Sequence, residues 1–181
     1  VPGSPGREDA PVVVIQAHMD MVCEKEAGSD HDFSKDPIEH VTEGEWMSAK
    51  ETSLGADNGI AIAYCLAIAK DRELVHPPLE LLFTVDEETG LNGARALSPD
   101  FIEGRILLNL DSEDEGVFTI GCAGGRDTII SYEPRKTEIE EDLQGIQVAV
   151  GGLTGGHSGV EIDLHRANAL KLLARLLSQV L

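Results

Sequence analysis

Basic residues are scarce in this chain: 14 Lys and Arg stand against 33 Asp and Glu, a formal net charge of −19. Phosphate backbones are held by clustered Lys and Arg, so this balance argues against a nucleic-acid partner. Long apolar runs are also missing. No stretch approaches the roughly 20 residues a membrane-spanning helix needs, and no membrane partner is expected. Cysteine is sparse: the three, Cys23, Cys65 and Cys122, lie far apart with no C-x-x-C pairing. An odd, scattered count fits a reducing, cytoplasmic setting better than a disulfide framework. No internal repeat is visible.

What is present is ordinary for a globular protein: 181 residues, 41% apolar, 26% charged. That length suffices for one domain with a sizeable core, or one domain and part of another. The stretch that organises the rest is Val12–Val22, V-V-V-I-Q-A-H-M-D-M-V. Its β-branched run, Val12 to Ile15, reads as a strand buried on both faces of a parallel sheet. The run ends at Gln16-Ala17, and His18 and Asp20 follow. Open α/β sheets keep their ligand sites at the carboxyl ends of strands. Residues two apart in an extended chain point the same way, so His18 and Asp20 face one pocket. Neutral imidazole binds zinc, and a carboxylate near its second nitrogen fixes the tautomer. By itself, H-x-D is weak evidence for a metal and reads more readily as two polar residues solvating a strand end.

Residues 1–11 are turn-rich and lead into this strand. Glu24–Pro37 is a polar, acidic surface segment, and Ile38–Glu43 with Trp46–Lys50 reads as a hairpin about Gly44-Glu45. The loop T-S-L-G-A-D-N-G (Thr52–Gly59) opens into a mostly buried helix over Ile60–Asp71. After Pro77-Pro78 comes a strand, Leu79–Val85, ending in Asp86-Glu87-Glu88. A short helix around Leu91–Leu97 precedes a third strand, Ile106–Leu110, which ends in Asp111. The order predicts an α/β fold: a doubly wound, mostly parallel sheet with one functional edge. Beyond Gly116–Gly125 the pattern changes. Strands are expected over Arg126–Glu133 and Ile146–Val150, then a glycine-rich loop, Gly151–Gly159. A helix follows from an Asp163 N-cap to the last residue, with Leu170, Leu173, Leu177 and Val180 as its apolar stripe. The boundary is placed near Gly124-Gly125, so the domains are 1–124 and 125–181, the second an α+β unit with a sheet of its own.

Acidic residues recur at strand ends and in loops. Asp57 in G-A-D-N-G reads as a turn residue or helix N-cap, and adjacent Glu87 and Glu88 read as solvated acids. D-S-E-D-E-G, which begins at Asp111, resembles a calcium loop, but the twelfth position would be Cys122 and not a bidentate glutamate. G-G-H-S-G is no nucleophile elbow, because His157 occupies the place of the serine. Together, one histidine and several carboxylates at the ends of buried strands suit a two-metal hydrolytic site.

The segments Q-A-H-M-D-M-V, H-D-F-S-K-D-P-I, T-S-L-G-A-D-N-G, D-E-E-T-G, L-N-L-D-S-E-D-E-G, G-C-A-G-G and G-G-H-S-G resemble, in order, those of the aminoacyl-histidine dipeptidases. These Xaa-His dipeptidases, or bacterial carnosinases, belong to the dizinc peptidase group related to carboxypeptidase G. H-x-D and E-E occur across that wider group; N-L-D-S-E-D-E-G followed by G-C-A-G-G is far more specific. The resemblance implies two zinc ions, with manganese or cobalt as substitutes. His18 and Asp111 would hold the first, Asp57 would bridge both and carry a cis peptide after it, and Glu88 would bind the second. Glu87 would be the general base, Asp20 would orient His18, and His157 would polarise the carbonyl oxygen; a solvent-exposed loop histidine is the alternative for His157. It implies that residues 125–181 begin a lid domain through which a homodimer could form, a small peptide substrate, and an internal fragment, inactive alone. A final histidine of the second zinc site would lie outside the stretch. The alternatives are another dizinc tripeptidase or N-acyl amino-acid deacylase, or a catalytically silent metal-binding segment.

Overall fold

A computed structural model of the chain describes residues 1–112, 114–122, 124–126, 128–136, 138, 142–156 and 161–180. The chain divides into two units, Val1–Phe118 and Thr119–Leu181.

In the first unit, β1 (Val13–His18) is the middle strand of a three-stranded sheet in the order β4-β1-β5. Both neighbours, β4 (Leu79–Thr84) and β5 (Ile106–Asn109), run parallel to it. The β-branched run suits this central place because both of its faces are covered. Val14 and Ala17 are fully buried and Ile15 nearly so. Parallel pairing puts the ends of β1, β4 and β5 at one edge, with His18 opposite Thr84 and Gln16 opposite Asn109.

The residues 13, 15 and 17 side of the sheet carries α1 (Ala56–Lys70). There Ile15, Cys65 and Leu79 form the core, with Val13, Ile68, Leu81, Phe83 and Leu110 packed around them. Ala61 and Cys65, four apart, are buried on one face of α1, and Asn58 is buried at its kinked, non-helical start. The helix is less buried than its composition predicts: Ile60, Tyr64 and Leu66 are each more than half exposed, because only one face meets the sheet.

On the other side, the turn after β4 and the short α2 (Asn92–Arg95) bring Leu91, Ala94 and Leu97 over Leu82 and Leu107, around a cavity of about 220 Å³. Helical turns on both faces make the sheet doubly wound. Gly93 is required here: a Cβ would lie 2.3 Å from the carbonyl oxygen of Val85. The predicted hairpin is β2 (His40–Glu43) against β3 (Trp46–Ala49).

In the second unit, α3 (Ala169–Val180) follows a 3₁₀ turn, Ile162–Leu164. The helix starts later than the sequence predicts, because His165 takes a left-handed conformation (φ 49°) that breaks it from Asp163. Asn168 caps it, its Oδ1 accepting the Lys171 N–H at 3.0 Å. Among the described residues, Arg126–Glu133 and Ile146–Val150 form no strands. Ile129, Ile130, Tyr132 and Ile146 stay largely exposed, and an extended segment without a paired neighbour is not stabilised as a strand.

Candidate metal centre

The loop ahead of α1 is held against the segment that leaves β1. Ser53 donates its N–H to the Glu24 carbonyl at 2.9 Å, and its hydroxyl accepts the Glu24 N–H at 2.9 Å. Gly55, at φ 77°, comes so near Met21 that a Cβ would meet its sulfur at 2.9 Å. These contacts bring Asp57, at the start of α1, over the end of β1. The Asp57–Asn58 peptide is cis, as the resemblance implies.

His18 is the hub. Its side chain is 1% exposed. Nδ1 lies 2.8 Å from the carbonyl oxygen of Asp20, which can only accept, so the proton sits on Nδ1. Nε2 then faces Asp57 Oδ1 at 3.0 Å and Asp111 Oδ1 at 3.9 Å. An imidazole lone pair and a carboxylate oxygen are both acceptors; at 3.0 Å they need a proton or a cation between them. Burial pulls the His18 pKa down, but the hydrogen bond to Asp57, the charge of Asp111 and the Asp20 carbonyl outweigh it and raise the pKa above 6.5.

Two sets of ligand atoms share this imidazole. His18, Asp57 and Asp111 lie within 4.8 Å of one another, as do His18, Glu87 and Glu88. Every metal ligand expected from the sequence is thus brought to one place, and Glu87 stands with them. The cavity on the Leu82 face is lined by Glu87 and Asp111 but not by His18, Asp57 or Glu88.

Asp20 differs from its expected part. Its carboxylate Oδ1 stands 3.5 Å from Nδ1, farther than its own carbonyl, while Oδ2 accepts the Glu88 N–H at 3.1 Å. The backbone orients the imidazole, and the side chain ties the Glu87-Glu88 turn to the end of β1. Burial pushes the Asp20 carboxyl up, but the backbone N–H groups of Glu87 and Glu88 bring it below its usual value. The turn itself is fixed by Asp86, whose carboxylate accepts the Thr89 hydroxyl and the Asn92 amide. Glu87 and Glu88 are both raised, first by burial and then by neighbouring carboxylates, Asp111 for Glu87 and Asp57 for Glu88. No Lys or Arg among the described residues pairs with Asp20, Asp57, Glu87, Glu88 or Asp111. His157 lies outside the described residues, and no other described histidine joins either set.

The sequence reading passed over Gln16, Thr84 and Asn109, whose side chains bond to one another across the three strands. A polar residue two before His18, inside an otherwise apolar strand, was the available signal.

A pH dependence follows. The raised His18 pKa contributes stability that is complete below the unfolded value of about 6.5 and is lost as pH rises through the folded value. Glu87 and Glu88, also raised, act in the same direction at lower pH. Asp20, lowered, contributes above its unfolded value and loses that only in acid. The metal-free protein should therefore melt at a higher temperature near about pH 6 than near about pH 8. Calorimetric scans at both values check this, and the difference should shrink in His18→Gln.

Known proteins resemble nearly the whole of this chain. The chain is 44% identical over 177 residues to the cytosol non-specific dipeptidase of Escherichia coli (strain K12), covering 98% of this chain and 36% of that protein. The crystal structure of aminoacylhistidine dipeptidase from Vibrio alginolyticus matches with a TM-score of 0.67 at 41% identity, again over 98% of this chain and 36% of the other. The chain thus spans about a third of the length of these relatives. Residues 14–169 match peptidase family M20/M25/M40. With its parallel α/β sheet and the motifs at that sheet's edge, the chain belongs to this family.

Proposed function

We propose that this chain carries the metal-binding edge of a metal-dependent dipeptidase. The observation that carries the reading is the convergence of Asp20, Asp57, Glu87, Glu88 and Asp111 on the single buried imidazole of His18. Among the described residues these carboxylates have no Lys or Arg partner and share one imidazole; they repel one another, and a divalent cation relieves that repulsion. Imidazole with carboxylates is a donor set suited to zinc, and manganese or cobalt are accepted by the same atoms.

His18 and Asp111 would hold one ion, Asp57 would be shared, and Glu88 would take the second. The bound ions would supply an acidified water and a polarised scissile carbonyl. Glu87 would receive the water's proton on its carboxylate and return it to the departing amine. Burial and the charge of Asp111 raise its pKa above the usual glutamate value, which makes it a stronger base for that exchange. His157 is assigned to the carbonyl oxygen. Dipeptides ending in histidine are the proposed substrates; the breadth named for the Escherichia coli relative makes other dipeptides the nearest alternative. The cytosol is the proposed location.

The test is to assay the whole protein on β-alanyl-histidine, on other dipeptides and on N-acyl amino acids, before and after chelation. Dipeptide hydrolysis that chelator removes and zinc restores is expected. Cleavage of acylated amino acids alone would make the protein a deacylase. Turnover unaffected by chelation would end the metal reading.

A further inference from the structure

Beneath the metal centre, on the sheet face that carries the cavity, three polar side chains join the strands. Gln16 uses both ends of its amide. Its Nε2 donates to Thr84 Oγ1 on β4 at 3.1 Å, and its Oε1 accepts from Asn109 Nδ2 on β5. Asn109 Oδ1 in turn accepts the backbone N–H of Asp111 at 2.9 Å, and the Thr84 hydroxyl donates to the Ala17 carbonyl at 3.4 Å. All donors point the same way: Asp111 N–H to Asn109, Asn109 to Gln16, Gln16 to Thr84, Thr84 to the residue before His18. Turning the Gln16 amide over would set donor against donor at Asn109, so the chain of bonds admits one orientation.

Its place is informative. The β1–β5 register ends at Gln16 and Asn109, and the last backbone bond between these strands is Leu110 N–H to the Gln16 carbonyl at 3.0 Å. Asp111 therefore lies just past the ladder, and its N–H is held by the Asn109 side chain. At the opposite end Thr84 is the register partner of His18 and is buried.

We propose that Gln16, Thr84 and Asn109 are positioning residues for the metal centre: their hydrogen-bonded chain sets Asp111 and His18 at the mutual distance one cation requires. The inference rests on the proposed metal-dependent function and deepens it. The three side chains do not touch the cation. They act through the backbone of Asp111 and of the residue before His18, where a small displacement moves a ligand oxygen out of reach. Partners of this kind are worth about 10- to 100-fold in metal affinity.

The test compares Gln16→Leu, Thr84→Val and Thr84→Ser with the parent in the whole protein. Thr84→Val keeps the buried volume and removes only the hydroxyl, and Thr84→Ser keeps the hydroxyl. Affinity for the first equivalent of cobalt(II) is measured by titration, with the visible spectrum of the cobalt form as a report on ligand geometry. Melting of the metal-free proteins shows that each variant is folded. Gln16→Leu and Thr84→Val should bind cobalt about 10- to 100-fold more weakly with an altered spectrum, and Thr84→Ser should match the parent in both. Should Gln16→Leu fail to fold, the Val and Ser pair decides alone. Parental affinity and spectrum in Thr84→Val would overturn the positioning role while leaving the metal reading intact. A parent that binds no cobalt would overturn both.

Discussion

Replacing Glu87 by Gln should lower kcat of the proposed dipeptidase activity of the whole protein by about 10²- to 10⁴-fold, the usual contribution of general acid–base catalysis. Bound zinc should be unchanged. Glutamine matches glutamate in shape and can still accept a hydrogen bond, but it cannot take a proton at neutral pH. Glu87 is raised above its ordinary value by burial and by the charge of Asp111, and it lines the cavity beside Asp111. The geometry also sets a sharper alternative, because Glu87 and Glu88 both lie within 4.8 Å of the His18 ligand atom. If Glu87 is a ligand, Glu87→Gln loses zinc together with turnover. Atomic absorption of the purified variant, run beside its steady-state kinetics, separates the two roles.

The second large effect is expected at His18. It belongs to both ligand sets and is the single nitrogen donor in either. Zinc sites with about four ligands bind with roughly 10–16 kcal/mol, or roughly 3 kcal/mol per ligand, so losing one weakens binding by about 10²- to 10³-fold. His18→Gln nearly preserves volume in a fully buried place and retains an amide N–H that can reach the Asp20 carbonyl. It removes the nitrogen that faces Asp57 and Asp111. Zinc titration calorimetry should show the tightest binding event weakened by that factor, with turnover falling in step. Unchanged zinc affinity in His18→Gln would move the centre away from this imidazole. Asp20→Asn is the natural companion. The imidazole is held by the Asp20 carbonyl, so zinc binding should survive there, while the Glu87-Glu88 turn loses a charged acceptor for the Glu88 N–H.

These two substitutions fall on residues that the amino-acid order had already singled out. Strand ends are legible because hydrophobic periodicity is local: a β-branched run followed by H-x-D, or L-E-L-L-F-T-V followed by D-E-E, marks where a buried strand meets solvent. Parallel pairing follows from strands that alternate with helical stretches, and such sheets collect those ends at one edge. The cis bond after Asp57 came from likeness to a family and from no local rule.

Other features depended on which atoms meet in space. The spacing of His18 and Asp20 put a carboxylate at the imidazole, but the backbone turns so that the Asp20 carbonyl reaches Nδ1 and the carboxylate is left for Glu88. That choice lies in dihedral angles that no residue pattern encodes. Arg126–Glu133 and Ile146–Val150 have the composition of strands, yet a strand exists only with a partner, and pairing is a property of two distant segments. Asp163 and Asn168 are both competent N-caps; the left-handed His165 between them decided for Asn168. The bonds among Gln16, Thr84 and Asn109 join positions 68 and 93 residues apart in the chain. The chemistry of the site was written locally, in residue types at strand ends, because solvation and strand periodicity act over a few residues. Its geometry was decided by tertiary structure, because a hydrogen bond is made only when the sheet register brings donor and acceptor within about 3 Å.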